Sequence, residues 1–173
     1  MAVLFTDTAF IKRFTPLNVS VEDLDVSAIT YTAQEKNIKP YLGRELYDHI
    51  IGLIEAGTIN QPSNSDYRYL LDNYVRMACA WWTVVEMMPI LRVKISNGGL
   101  LTRTPAETSP ASQTDIDSVR NMARQNSHHF TYELIRYLKD NRTRYPEYKC
   151  EETKVMSVAG YEIGSRLGWS WNQ

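Results

Sequence analysis

Cysteine is nearly absent from this 173-residue chain: Cys79 and Cys150 are its two, and they form no metal-ligand or redox spacing. The pair therefore supplies no zinc site or thiol–disulfide centre. Cys79 falls inside a helical pattern, where it reads as a small buried hydrophobe. An excess of charge of either sign is missing too. Nineteen Lys and Arg stand against 20 Asp and Glu, a balance that argues against disorder and against a strongly basic nucleic-acid binder. A local basic patch remains compatible with it. Long apolar runs are also lacking. The most apolar stretch, Met77 to Val85, is stopped by Glu86, whereas a membrane span needs about 20 apolar residues. The opening MAVLFTDTAF has no basic residue ahead of its short apolar stretch, so no signal peptide is expected. These exclusions leave one domain with a proper core, working inside a cell or in a particle assembled there.

Catalytic signatures are equally thin. The chain has no HExxH, no CxxC, no paired Glu-x-x-His and no GxSxG. Gly160 and Gly164 are followed by no Lys-Ser/Thr, so they make no phosphate loop. Asp115 and Asp117 open like a calcium loop but lack its later Gly and Glu, and acids favoured at a helix start explain them better. His128, His129 and Glu133 come nearest to a metal site. His129 and Glu133 share a helix face, yet at least one further ligand would have to come from elsewhere. A structural or surface histidine pair is the simpler reading, and no metal or cofactor is expected.

What the chain does have is a long helical stripe. Leu70, Tyr74, Met77, Trp81, Val84, Met88 and Leu91 recur in steps of four and three, the spacing of one helix face. A second apolar row, Leu71, Val75, Ala78, Trp82 and Val85, lies beside it. Only a narrow polar strip with Asp72, Arg76, Thr83 and Glu86 is left. Such a helix must be wrapped by other elements. Its two tryptophans are read as core, far ahead of any ligand-stacking role. The flank nearest Trp82 is the one expected to meet a neighbouring copy.

Around this spine the pattern predicts a mainly α fold, a bundle of about four helices around a long central one. Residues 1–20 read as a short helical turn or strand followed by a loop. A first helix is expected over about 25–38, ending before Pro40 because the residue preceding a proline avoids helical angles. A second runs from about Arg44 to Glu55, with Leu46, Ile50 and Leu53 or Ile54 inward and Gly57 as its stop. Ser65 caps the central helix, which reaches about Lys94 with Pro89 weakening its end. Asn97-Gly98-Gly99 between apolar runs predicts a short β-hairpin over about 93–103, and 105–113 reads as a flexible loop. Thr114 or Asp115 caps a last helix to about Asn141, with Val119, Ala123, Phe130, Leu134 and Tyr137 as its core stripe.

This division gives a helical domain over 1–144 and an extended C-terminal interaction arm over 145–173. The arm carries Tyr161, Trp169 and Trp171 without a helical stripe to bury them on. It either docks onto a partner or folds back on its own bundle. On the last helix, Arg120, Arg124 and Arg136 head a basic series that would face DNA phosphates if it shared one side. An ordinary solvated helix face is the competing explanation.

Residues 31–50, YTAQEKNIKPYLGRELYDHI, resemble a family of bacteriophage head–tail connector (adaptor) proteins, in particular those of Bacteroides phages and crAss-like phages. The resemblance lies in Ala33-Gln34, Ile38, the Pro40-Tyr41-Leu42-Gly43 break and Leu46-Tyr47. Leu4-Phe5, Asp7 and Lys12-Arg13-Phe14 look like the family's opening. It covers roughly residues 4–95; beyond them the hairpin and last helix match in layout only. It implies a structural virion protein without catalysis, at the head–tail interface and assembled in the host bacterial cytoplasm. Copies would form a ring, usually twelve-fold, beneath the portal, extending the DNA channel and meeting the next tail or ring protein. Asn97, Gly98 and Gly99 of the hairpin, with Tyr161, Trp169 and Trp171 of the arm, would then contact partners. Arg120, Arg124 and Arg136 would touch DNA in transit, and no membrane is involved. A DNA-binding module and a small enzyme built on His128, His129 and Glu133 are the rival readings.

Overall fold

The computed structural model describes residues 3–17, 23–91, 93–96, 99–102 and 113–149. Chain order explains most of what forms. Asp7 starts α1 (Thr8–Phe14) by accepting the Phe10 N–H at 2.6 Å, as a side-chain oxygen at an N-cap does. Of the two expected forms, a short helical turn or a strand, the helical one is present.

Helix α2 (Asp23–Ala33) does not stop before Pro40. It continues through a π-helical turn, Gln34–Ile38, into α3 (Lys39–Leu42). In that turn the Lys39 N–H bonds back five residues, to the Gln34 carbonyl. The widened turn makes room where a proline ring would otherwise meet the carbonyl four residues earlier. Gly43 then ends the run at φ 74°, ψ 158°, a region essentially closed to side chains.

Helix α4 spans Arg44–Glu55, the expected bounds, with Leu46 and Ile50 buried and Leu53 and Ile54 half-buried. Gly57, at φ 67°, closes it. There the Thr58 N–H reaches Leu53 O at 2.9 Å and the Gly57 N–H reaches Ile54 O at 3.0 Å, the paired bonds of a Schellman end.

The central rod consists of α5 (Ser65–Leu70), a second π-helical turn (Leu71–Val75) and α6 (Arg76–Leu91). Asn64, not Ser65, holds the cap position, and its amide donates to Thr58 O instead of capping. The rod ends at Leu91, two residues past Pro89, short of the expected Lys94. Backbone pairing follows between β1 (Val93–Ser96) and β2 (Gly99–Thr102), antiparallel, with Val93 opposite Thr102 and Ser96 opposite Gly99. The chain is mainly helical. Among the described residues no helix is long and apolar enough to cross a membrane.

Helix α7 (Gln113–Asp140) packs antiparallel to α6: Trp82 bonds Thr131 while Tyr74 stacks on Tyr137. Its buried row is Ala123, Ser127, Thr131, Leu134 and Leu138. The expected stripe differs, because Val119 is exposed and Phe130 and Tyr137 are half-buried. Small hydroxyl residues can fill the seam because each returns its proton to the helix: Ser127 Oγ donates to Arg124 O and Thr131 Oγ1 to Ser127 O.

Two apolar clusters result. The larger joins Phe5, Ile38, Leu42, Leu46, Ile50, Leu70, Leu134 and Leu138. The smaller joins Ile11, Leu17, Val26, Ala80, Val84, Met87 and Ala123. Tyr145 and Tyr148, placed at the start of the arm by sequence, are buried in the larger one. Tyr145 there donates to Asp66 O at 2.9 Å. The helical body therefore extends past residue 144. Cys79 is fully buried, which pushes its thiol up to about 12 despite a hydrogen bond with Thr83. Alkylation of Cys79, followed by peptide mass spectrometry, should accordingly occur only after denaturant opens the core; labelling at native rates like those of a free thiol would contradict this packing.

Candidate assembly surface

The segment that carries the family resemblance turns out to be a structural joint. Ala33, Gln34, Ile38, Tyr41, Leu42, Leu46 and Tyr47 are all buried. The π-helical turn aims Gln34 inward. Its Oε1 accepts the Phe5 N–H at 2.8 Å, and its Nε2 donates to Val3 O at 3.0 Å and to the Tyr47 hydroxyl at 2.8 Å. Tyr47 in turn donates to Glu35, which pairs with Lys39 at 2.7 Å. Burial and the Glu35 contact push the Tyr47 phenol upward, so it stays protonated. One amide thus ties the N-terminal segment to two helices. Sequence reasoning had singled out Gln34 only as a family position.

The same turn is fastened to α6 through Glu86, which accepts from Lys36 at 2.9 Å and from Asn37 at 3.0 Å. Burial raises the Glu86 carboxyl, but Lys36, Asn37 and the Arg124 charge outweigh it and hold it below the ordinary 4.5. A carboxyl depressed in the folded state stabilises above its unfolded value and loses that contribution as pH falls through the folded one. Stability should therefore decline below about pH 4.5, and Glu86→Gln should flatten that decline. Urea midpoints measured from pH 6 down to about pH 3 test it; identical slopes for the two proteins would refute the assignment.

The open surface lies on the other side of the rod. Of the two apolar rows, the second is the buried one: Leu71, Val75, Ala78 and Trp82. Trp82 is turned into the seam, where its Nε1–H donates to Thr131 at 2.9 Å and its edge meets His128. In the first row, Leu70 and Val84 are buried, whereas Tyr74, Met77, Trp81 and Met88 are only half-buried. The cause is the π-helical turn at Leu71–Val75. An extra residue in a turn rotates everything after it by about 100° relative to a straight helix. The flank available to a neighbour is therefore that of Trp81, correcting the expectation for Trp82.

This flank forms one wall of a groove between α6 and α7. Tyr74 and Tyr137 close its head, stacked 4.3 Å apart with planes at 17°. Along α7, Val119 is 36% exposed and Met122, further round the helix, 42% exposed. Clustered large apolar side chains open to water mark an interaction surface.

The other residues singled out by sequence do not converge. Arg120 and Arg136 sit roughly 160° apart around α7 at about 100° per residue, so the three arginines share no face. Arg120 is half-buried, Arg124 lies near Glu86, and Arg136 pairs with Glu133 at 3.2 Å. Burial and the Arg124 charge lower His128 below its ordinary value, which keeps it neutral. Among the described residues, no group of three His, Cys, Asp or Glu side chains is placed to hold a metal ion. Gly99 lies in β2, while Asn97, Gly98, Tyr161, Trp169, Trp171 and the loop from 105 to 112 fall outside the described residues.

An open hollow of about 320 Å³ beside α1 is lined by Phe5, Thr6, Asp7, Ser27 and Arg76. Arg76 is occupied there, 3.2 Å from Asp7, 3.3 Å from Asp72, with its guanidinium 4.3 Å from the Phe10 ring centre. The hollow is a crossing point of α1 and the rod, with no reacting groups gathered in it.

Joint, rod and groove together define a mainly helical domain whose marked surface feature is apolar. Residues 38–156 match a family of unknown function, DUF6712, and the chain belongs to it. No curated protein and no solved structure matches the chain.

Proposed function

We propose that this chain is a structural subunit of a phage virion, a head–tail connector that closes into a ring beneath the portal. The observation that carries the reading is the flank of α6 beside α7, where Met77, Trp81 and Met88 are only half-buried and Met122 of α7 is 42% exposed. A ring repeats one head-to-tail contact until rotation closes it, and such a contact covers an apolar flank on every copy. The resemblance at residues 31–50 supplies the place, between capsid and tail. In this reading the chain performs no catalysis and binds no cofactor. Its contacts are with itself, the portal, the next ring or tail protein and, in passing, the packaged DNA. The hairpin about Asn97, Gly98 and Gly99 carries one of the partner contacts.

Electron microscopy of virions, and of the purified chain mixed with its portal, tests this directly. Closed rings of many copies at the neck are expected. Absence of the chain from particles, or its dispersal over the capsid, would overturn the proposal. Salt-sensitive binding of the isolated protein to duplex DNA would instead favour a DNA-binding module.

A further inference from the structure

We propose that the α6/α7 groove receives the C-terminal segment, residues 150–173, of a neighbouring copy. The inference rests on the ring reading and adds the identity of the groove's occupant. Met77 and Met88 lie on the Trp81 side of α6, four residues before it and seven after. Polarizable thioethers on flexible stems adapt to aromatic rings and favour contact with them. The segment supplies such rings. Trp169 and Trp171 are two positions apart, so an extended strand would present both on one side, and tryptophans filling pockets are the usual anchors of an interface.

Length permits this docking. Residues 150–173 span at most roughly 80 Å when extended, whereas α6 from Tyr74 to Ile90 covers about 24 Å. The direction of exit favours a neighbour. Glu147 accepts from the Tyr67 hydroxyl at 2.9 Å, Tyr67 lies against His49, and Lys149 pairs with Glu45 of α4. Tyr69 instead faces Tyr74 and Tyr137 at the head of the groove. Two residues apart on a helix, Tyr67 and Tyr69 point roughly 160° away from each other. The chain thus leaves along the side of α5 opposite the groove, and reaching its own groove means wrapping around the bundle. An arm passed from each copy to the next is a heterologous contact of the kind that closes a ring.

Isotopic mixing with photo-crosslinking of the full chain tests the proposal. A benzophenone amino acid replaces Trp169 in both ¹⁴N- and ¹⁵N-labelled protein, the two are mixed while dilute, concentrated, and irradiated. Cross-links from position 169 to the peptides holding Trp81 or Met88 are expected, including mixed light–heavy pairs. Met77→Glu should abolish the mixed pairs while leaving the circular dichroism spectrum unchanged. Pairs that are never mixed identify the chain's own segment as occupant and overturn the proposal; so do cross-links elsewhere, or none. The ring reading is scored separately by microscopy of the same samples. Rings with unmixed pairs would sink only the exchange of arms, and mixed pairs without rings only the connector.

Discussion

Gln34→Leu should destabilise the protein by about 3 kcal/mol, although leucine nearly matches glutamine in size and is the better hydrophobe. Removing the amide strands three groups at once: the Phe5 N–H, the Val3 carbonyl and one side of the Tyr47 hydroxyl. A buried polar group left unpaired costs about 1–3 kcal/mol, more than an average intact bond contributes. Val3 is only half-buried and can recover a water, and Tyr47 still donates to Glu35, so the stranded Phe5 N–H dominates. The loss should be local before it is global. Hydrogen exchange at the Phe5 amide should accelerate under conditions where the amides of α4 remain protected. Urea unfolding of the variant supplies the total, and a loss below about 1 kcal/mol would mean that the amide does not hold the N-terminal segment.

Gln34 also shows why part of this fold was legible from sequence and part was not. Helix α4 could be bounded closely, since Leu46 and Ile50 recur at helical spacing between two glycines that must leave helical angles. The π-helical turns could not. Each bonds five residues back rather than four, and residue-type preference carries no mark of that choice. One turn let the chain pass Pro40 and hid a glutamine in the core. The other rotated the central rod and decided which of two equally apolar rows is buried. On α7 the seam ran through Ser127 and Thr131, where the Trp82 indole of α6 takes the space and bonds Thr131; a hydrophobicity pattern points instead to Phe130 and Tyr137. The aromatic content of the candidate surface was therefore visible in the sequence, but not its direction.

The adjacent tryptophans turn that direction into a measurement. Trp82→Ala should cost about 4 kcal/mol, the range for deleting a large buried aromatic. Its indole lies in the main core, 9% exposed, with a single hydrogen bond to Thr131. Thr131 would keep its own bond to Ser127 O, so the cost is mostly cavity and lost packing. Trp82→Phe should accordingly recover more than half of it, giving up about 1 kcal/mol for the hydrogen bond and a little packing. Trp81→Ala should behave in the opposite way. Half-buried beside the smaller cluster, it should cost less in folding, about 1–2 kcal/mol. Yet it removes the centre of the groove, where truncating an anchor costs most in association. Urea unfolding and ring counting by electron microscopy, performed on both variants, separate the two roles. A folded Trp81→Ala chain that still closes rings would place the subunit contact elsewhere, and a Trp82→Ala chain of normal stability would contradict the packing of α6 on α7. One residue step along a helix should thus divide standing as a monomer from standing in an assembly, because a single extra residue in the turn at Leu71–Val75 set the phase of everything after it.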